Sequence, residues 1–263
     1  MRVFDQRVDR LEIKYLIDES LADRLRRDIT SFCEADSHNE DDRKQPGYSI
    51  SSLYLDSPNF AFYRAKERGD SERLKLRVRT YGDAPTAVLE IKRRISEFVA
   101  KSRATVSRSE VERAVAGLAD TSDQPAEVRR FIDEFAYIVA ASGAQPTLRV
   151  RYDREAYISA IDQYARATFD RNIAARRQED WAPMSSSNNW CEFNDFLRPE
   201  EANRCVMLEL KCETSIPFWM SDLVRKHSLV AQSFSKYSIG IQLTGRRLGE
   251  QFVSRRLVKV IAA

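Results

Sequence analysis

The chain has 263 residues, enough for one large or two small domains, and pairs 43% hydrophobic with 32% charged residues, so a core is available beside a heavily charged remainder. Lys and Arg number 43 against 40 Asp and Glu, a net charge of +3, which excludes a global polycation and leaves local segregation of charge as the way to meet an anion. Eight Gly and eight Pro exclude low complexity, and no run approaches the ~20 apolar residues of a membrane helix.

Cys33, Cys191, Cys205 and Cys212 show no CxxC spacing and read as reduced thiols of a cytoplasmic protein. The opening MRVFDQRVDR has no apolar signal region. In chain order, Val8 to Ile17 reads as a strand, with Leu11, Ile13 and Tyr15 on one side and Arg10, Glu12 and Lys14 on the other. A helix is expected from Glu19 to Phe32, with Ser20 and Asp23 as its capping pair. Glu34 to Gly47 reads as a loop, in which a lone His38 is expected to face solvent. Tyr48 to Asp56 is a strand and Pro58 to Glu67 a short helix. Arg73 to Tyr81 alternates without a break, so Lys75, Arg77 and Arg79 share one face while Leu74, Leu76 and Val78 share the other. Ala87 to Arg94 makes a hairpin with it and sets Glu90, Lys92 and Arg94 opposite Leu89 and Ile91.

Glu97 to Val106 is extended, and Ser109 to Leu118 is a short helix with Ser109 and Glu112 as a capping box. Pro125 to Ser142 is a stronger helix, capped by Asp123 and ended by Gly143. Pro146 to Ser159 and Tyr164 to Ala174 are strands, and Arg176 to Asn203 is irregular. Arg204 to Glu213 is a further strand, on which Glu209 and Lys211 oppose Leu208 and Leu210. Ser215 caps a helix running to Leu229, where His227 reads as a terminal cation or a surface group. Ser233 to Leu243 is helical up to Gly245, and Arg246 onward is a basic tail, read as a docked terminal segment. No repeat or linker divides the chain, so residues 1–263 are taken as one α+β domain with a large antiparallel sheet and 246–263 as its tail.

Five strands, around Lys14, Arg77, Lys92, Arg166 and Glu209, carry charge at period two with aliphatic residues opposite. A closed sheet with helices outside and a polar lumen accounts for both faces. Glu12, Glu90, Asp170 and Glu209 compensate part of the positive charge, and the rest calls for a polyanion. Tyr and Phe fall mostly on the apolar side of the pattern, and a narrow lumen excludes duplexes, so nucleic acid is not the expected partner. Phosphate chains fit, and leftover carboxylates among lysines and arginines point to Mg²⁺ or Mn²⁺ on phosphate oxygens, the equipment of phosphoryl transfer.

The ordered set Arg10-Leu-Glu12-Ile-Lys14-Tyr15, Ser52-Leu-Tyr54-Leu-Asp56, Lys75-Leu-Arg77-Val-Arg79-Thr-Tyr81, Leu89-Glu90-Ile-Lys92, Tyr152-Asp-Arg154-Glu-Ala156-Tyr157, Arg166-Ala-Thr168-Phe-Asp170, Leu208-Glu209-Leu-Lys211 and Ser235-Lys236-Tyr237 resembles the VTC domain. That is the polyphosphate polymerase domain of the vacuolar transporter chaperone family, within the triphosphate tunnel metalloenzymes. The resemblance implies a closed antiparallel eight-stranded β-barrel with helices packed outside. It implies transfer of the terminal phosphate of ATP to polyphosphate, with Lys14, Arg77, Arg79, Lys92, Arg154 and Arg166 on phosphate-binding positions. Glu209 falls on the metal-binding carboxylate and Lys236 on a phosphate-contacting lysine near the tunnel wall, and the resemblance implies that both are catalytic.

Two departures and one ambiguity stand beside this. Arg10 replaces the first carboxylate of the wider superfamily's Glu-x-Glu-x-Lys strand, which tilts the site toward phosphate binding. The chain lacks the inositol-phosphate-sensing domain and membrane helices of the eukaryotic assemblies. Arg149 and Arg151 have the opposite parity to Arg154, so without a bulge Arg151 is the lumen residue instead. The alternatives to a polymerase are a hydrolase of triphosphate, tripolyphosphate or nucleoside triphosphate on the same scaffold, and a non-catalytic polyphosphate-binding module.

Overall fold

The structure, a computed structural model, describes residues 11–39, 47–96, 98–161, 164–181, 189–194, 205–213 and 215–247. Arg10 and the tail from 248 onward lie outside the described residues, as does most of the Ser/Asn-rich loop. The elements run β1 (Leu11–Asp18), α1 (Glu19–Ile29), β2 (Cys33–Ala35), β3 (Tyr48–Asp56), α2 (Ala61–Arg68), β4 (Glu72–Tyr81), β5 (Thr86–Ile95) and β6 (Phe98–Ser107). A 3₁₀ turn leads to α3 (Val111–Val115), α4 (Ala126–Ser142), β7 (Gln145–Ser159), β8 (Arg166–Arg177), β9 (Cys191–Glu192), β10 (Cys205–Cys212), α5 (Phe218–Lys226) and α6 (Lys236–Arg247).

The α+β reading holds. One sheet has the strand order β1-β10-β8-β7-β3-β4-β5-β6, with β2 added on β7 and β9 on β8. Every ladder is antiparallel. The expected closure into a barrel is not found: among the described residues no ladder joins the edge strands β1 and β6. The sheet is nonetheless rolled. Six strand spacings of about 4.8 Å would put β1 roughly 29 Å from β5 in a flat sheet, yet Lys92 Nζ of β5 lies 3.6 Å from Glu12 Oε2 of β1. Side chains, not backbone hydrogen bonds, span this seam, and the result is a trough.

Alternation assigns the two faces of each wall. On the convex side, Tyr15, Ile17, Phe169, Leu208 and Leu210 pack under α1 and α5, and Leu76, Val78, Leu89 and Ile91 pack under α3 and α4 through Phe131 and Phe135. Each buried side chain of this size contributes about 1.5–3 kcal/mol. A third cluster lies on the concave side. There α6 sets Tyr237, Ile239 and Ile241 against Ile50, Tyr54, Leu148, Val150 and Met207. The approach is so close that a Cβ at Gly240 would stand 2.6 Å from Leu148 Cδ2 and 3.1 Å from Ala175 Cβ. Asp56, fully buried, ties this end together by accepting from the backbone N–H groups of Phe62 and Tyr63 at 2.9 Å and from the Tyr237 hydroxyl at 2.5 Å.

Several local expectations are corrected. Asp18, not Ser20, caps α1, accepting from the Leu21 N–H at 2.7 Å while Ser20 donates to the same oxygen. The capping side chains expected before α3 and α4 make no cap hydrogen bond; Pro125 precedes α4 and Pro217 precedes α5. The loop after α1 contains β2, formed only because Cys33 to Ala35 meet Tyr157 to Ser159. Helix α6 runs through Gly245 to Arg247. His227 is no surface group: its side chain is 10% exposed and its Nε2 stands 2.6 Å from Asp28 Oδ2.

Candidate functional site

Registers carry one row of side chains around the concave face. Lys14 stands opposite Glu209, which stands opposite Thr168. Arg154 stands opposite both Asp170 and Tyr48, Arg79 opposite Ser52, and Arg77 opposite Tyr54 and Glu90. Lys75, Lys92 and Lys101 are neighbours across β4, β5 and β6. The pair left open by parity is decided by plain alternation on β7, which pairs with β3 without a shift from Arg151 to Arg154 and sets Arg154 on the same face as Val150 and Tyr152. Arg151, on the other face, lies 4.3 Å from the centre of the Trp190 ring and 3.7 Å from Glu192, and the bulge of the β7–β8 ladder falls on β8, where Asn172 has a φ of 50°.

Two anchored groups dominate. Asp170 is fully buried and accepts from Arg154 Nε at 2.7 Å, Arg154 Nη2 at 2.8 Å and Lys236 Nζ at 2.6 Å. Burial opposes its ionisation, but Arg154 and Lys236 hold the carboxyl down at about 2. The Lys236 ammonium also sits 4.4 Å above the Tyr152 ring, and burial lowers its proton affinity against the pull of Asp170. On the other wall, Glu90 accepts from Arg77 Nε in a short contact, with Lys101 Nζ at 3.0 Å and Arg79 Nη1 at 4.0 Å. Burial opposes the charge on Glu90, and these three cations hold it well below the carboxylate range. Arg79 Nε donates to Ser52 Oγ at 3.3 Å.

Cations exceed what these carboxylates balance. Burial first, then the charges of Arg77, Lys14 and Lys92, push the Lys75 ammonium well below the ordinary lysine range. Lys101 is pushed down to about 8 by burial, with Glu90 opposing and Arg77 and Arg79 adding to it. Glu209, 5% exposed, lies 2.7 Å from Lys211 Nζ; burial opposes its charge, and Lys211, Lys14, Arg154 and Lys236 hold it well below the carboxylate range. Lys14 Nζ donates to the Phe234 carbonyl at 3.2 Å. Arg166, exposed, stands opposite Lys211 on the same face and belongs to its rim.

The VTC domain family model matches residues 9–244. The chain belongs to the VTC domain family. Subunit 4 of the vacuolar transporter chaperone complex of Schizosaccharomyces pombe is 25% identical over 229 residues, covering 73% of this chain and 31% of that protein. The chain thus spans about a third of the length of that curated relative. Among solved structures, a proposed adenylate cyclase from Bacillus halodurans aligns with a TM-score of 0.48 at 12% identity, covering 86% of this chain and 95% of that chain. A proposed adenylyl cyclase from Hippeastrum, described as revealing a dominant triphosphatase activity, aligns with a TM-score of 0.45 at 16% identity, covering 93% of this chain and 98% of that one.

In this VTC domain the expected site residues Lys14, Arg77, Arg79, Lys92, Arg154, Glu209 and Lys236 all lie on or over the concave face, with Arg166 at its rim. Sequence reasoning missed Lys101 as a member, although it is the cross-strand partner of Lys92, and it set Lys211 on the face with Glu209 without giving it a role. It also placed the aromatics wrongly. Tyr48, Tyr54, Tyr81 and Tyr152 face inward among the arginines, because a tyrosine ring packs on apolar neighbours while its hydroxyl stays with charge. Their placement no longer argues against a base-bearing ligand.

Among the described residues no three His, Cys, Asp or Glu groups converge. Glu209 and Glu12 do share Lys211, at 2.7 and 3.9 Å. Burial raises the proton affinity of Glu12 and Glu209 adds to that rise, while Lys211 and Lys92 outweigh both. Two carboxylates that share one ammonium are suited in chemistry to a small hard ion, and Glu209 and Glu12 are the residues that would hold one.

Proposed function

We propose that this chain is a metal-dependent polyphosphate polymerase that moves the terminal phosphate of ATP onto a growing polyphosphate chain. Family membership and the S. pombe relative support the reading. The observation that carries it is Lys75: an ammonium set among Arg77, Lys14 and Lys92 belongs to a lane built for a polyanion. Lys14, Arg77, Arg79, Lys92, Arg154 and Arg166 cradle the phosphates, each charge-assisted hydrogen bond being worth about 1.5–3 kcal/mol. Lys236, oriented by Asp170, contacts the transferring phosphoryl group. Glu209, with Glu12 beside it, would hold Mg²⁺ or Mn²⁺, which when bound neutralises phosphate charge.

A terminal oxygen of the acceptor chain forms a bond to the γ-phosphorus as the bond from that phosphorus to the bridging oxygen breaks, and ADP leaves with the electron pair. The protein supplies alignment and fixed charge, with no covalent step of its own. No helix among the described residues is long and apolar enough to cross a membrane, and cytoplasmic residence is part of the proposal.

The unclosed seam favours a second reading, hydrolysis of a triphosphate, because Lys92 beside it is 44% exposed and water reaches the same lane. The test is incubation with ATP and Mn²⁺, followed by a gel stained for polyphosphate. Long chains support the polymerase, and orthophosphate without chains supports the hydrolase. Triphosphate binding with neither product leaves a binding module.

A further inference from the structure

We propose that Arg149, Arg151 and Arg176 form a second anion site, on the outer wall of the sheet and apart from the concave lane, which takes orthophosphate. The site does not depend on how the lane is read. Alternation places it. Val150 and Tyr152 of β7, Ile50 of β3 and Ala175 of β8 pack on the concave side, so Arg149, Arg151, Ser51 and Arg176 point the opposite way. Arg149 is the cross-strand partner of Arg176, and Arg151 of Ser51. The outer wall is apolar to either side, under α1 and α5 on one flank and under α3 and α4 on the other. The arginines stand between these two apolar clusters.

Three guanidinium groups meet there around neutral groups. Arg149 Nε donates to Gln178 Oε1 at 2.6 Å and Arg176 Nη2 to the same oxygen at 3.0 Å, while Arg149 Nη1 donates to Ser51 Oγ at 3.2 Å. Arg151 and Arg176 both stand over the Trp190 ring, 4.3 and 5.1 Å from its centre. Arg149 and Arg176 are 5% and 4% exposed, and like charges at this depth are costly. Burial, with Arg176 and Arg108 adding and Asp180 opposing, pushes Arg149 down to about 10. Burial also lowers the proton affinity of Arg176, with Asp180 opposing and Arg151 adding.

The described carboxylates lie around the cluster. Glu192 meets Arg151 at 3.7 Å, Asp180 is exposed, and Asp153 accepts from Ser49 at 2.7 Å and Asn172 at 2.8 Å. A tetrahedral dianion suits the centre, because its several oxygens accept from planar guanidinium forks that a single amide oxygen now serves. The two covered arginines call for a small ion, and Arg151, with a 45% exposed side chain, leaves a side toward solvent.

Tryptophan fluorescence tests the site. Trp219 and Trp181 pack with the two apolar clusters and Trp190 lies on the arginines, so none of the three is in the lane. Titrating orthophosphate into the full chain should give a saturable change, and chloride at equal ionic strength none. Trp190→Phe should remove the signal. Gln178→Glu puts a carboxylate where both guanidiniums donate, and Arg151→Gln removes one fork. Each should raise the midpoint concentration by roughly 10- to 150-fold. Arg151→Gln, at a half-exposed position, keeps the test alive if Gln178→Glu fails to fold. Arg77→Ala, in the lane, should leave the midpoint where it was. No saturable change in the parent, the same change with chloride, or an unmoved midpoint in Arg151→Gln overturns the site. A midpoint that moves with Arg77→Ala instead assigns the signal to the lane and also overturns it.

Discussion

Replacing Asp170 by Asn is the sharpest test of the charge economy inside the trough. The carboxylate is fully buried and receives three charge-assisted hydrogen bonds, two from Arg154 and one from Lys236, whose side chains are 12% and 9% exposed. The amide has nearly the same shape but no charge, so both cations are left buried with only the charge of Glu209 to offset them and Lys14 adding to the repulsion. Removing one partner of such a cluster costs about 3–5 kcal/mol. At about 2–4 °C per kcal/mol for a domain of this size, the melting midpoint falls by roughly 6–20 °C. The same excess of positive charge should make the variant respond more strongly to a polyanion. Calorimetric melts with and without tripolyphosphate measure both effects, and the ligand-induced rise should be larger in Asp170→Asn than in the parent. An unchanged midpoint, or a smaller ligand-induced rise, refutes the reasoning. The pH dependence has a definite sign. The folded carboxyl titrates at about 2 and the unfolded one at about 3.9, so its stabilisation is full above pH ~4 and is lost as pH falls toward 2. The variant should lack that acid-sensitive component.

Glu209→Gln should abolish turnover while keeping part of the triphosphate affinity; full turnover in the gel assay would take the metal role from Glu209. Arg77→Ala should weaken triphosphate binding by about 1.5–3 kcal/mol in a calorimetric titration, and an unchanged constant would remove Arg77 from the lane. Lys101 titrates at about 8, so triphosphate affinity should decline as pH rises through that value. Lys101→Arg should move the decline to higher pH; an identical profile would show that another group is responsible. Gly240→Ala should lower the melting midpoint by several degrees, roughly the 1–3 kcal/mol of an overpacked core, because the added methyl meets Leu148 and Ala175; an unshifted midpoint would mean that α6 can lift off its seat.

The concave charged row was legible because period-two alternation is local: Lys75, Arg77 and Arg79 declare their shared face without any knowledge of their neighbours. What needed tertiary contact was not legible. The three residues of β2 have no strand signal of their own and pair only because β7 passes beside them. The bulge at Asn172 reverses parity within β8, so that Asp170 and Ile173 come to the same face, and the period-two pattern of Arg166 to Asn172 does not announce it. Lys236 came from family resemblance alone, since a lysine at the start of a helix looks like any surface residue until Asp170 and Tyr152 are placed beneath it. The inward tyrosines were misread because periodicity scores a phenol as apolar and ignores its hydroxyl. Closure was overestimated for a related reason: charged alternation says that a face is enclosed, but not whether the two edges meet by backbone or by side chains.

Under the proposed polymerase activity, the way the edges meet bears on how a long product leaves. A polymer threaded through a complete ring escapes only lengthwise, and each added unit lengthens the path out. Here the two rims are bridged by the contact between Glu12 and Lys92, both partly exposed, and ions in the medium weaken such a contact. Raising ionic strength would part the rims and let a bound strand lift away sideways, so dwell time on the enzyme, and with it chain length, becomes a function of salt.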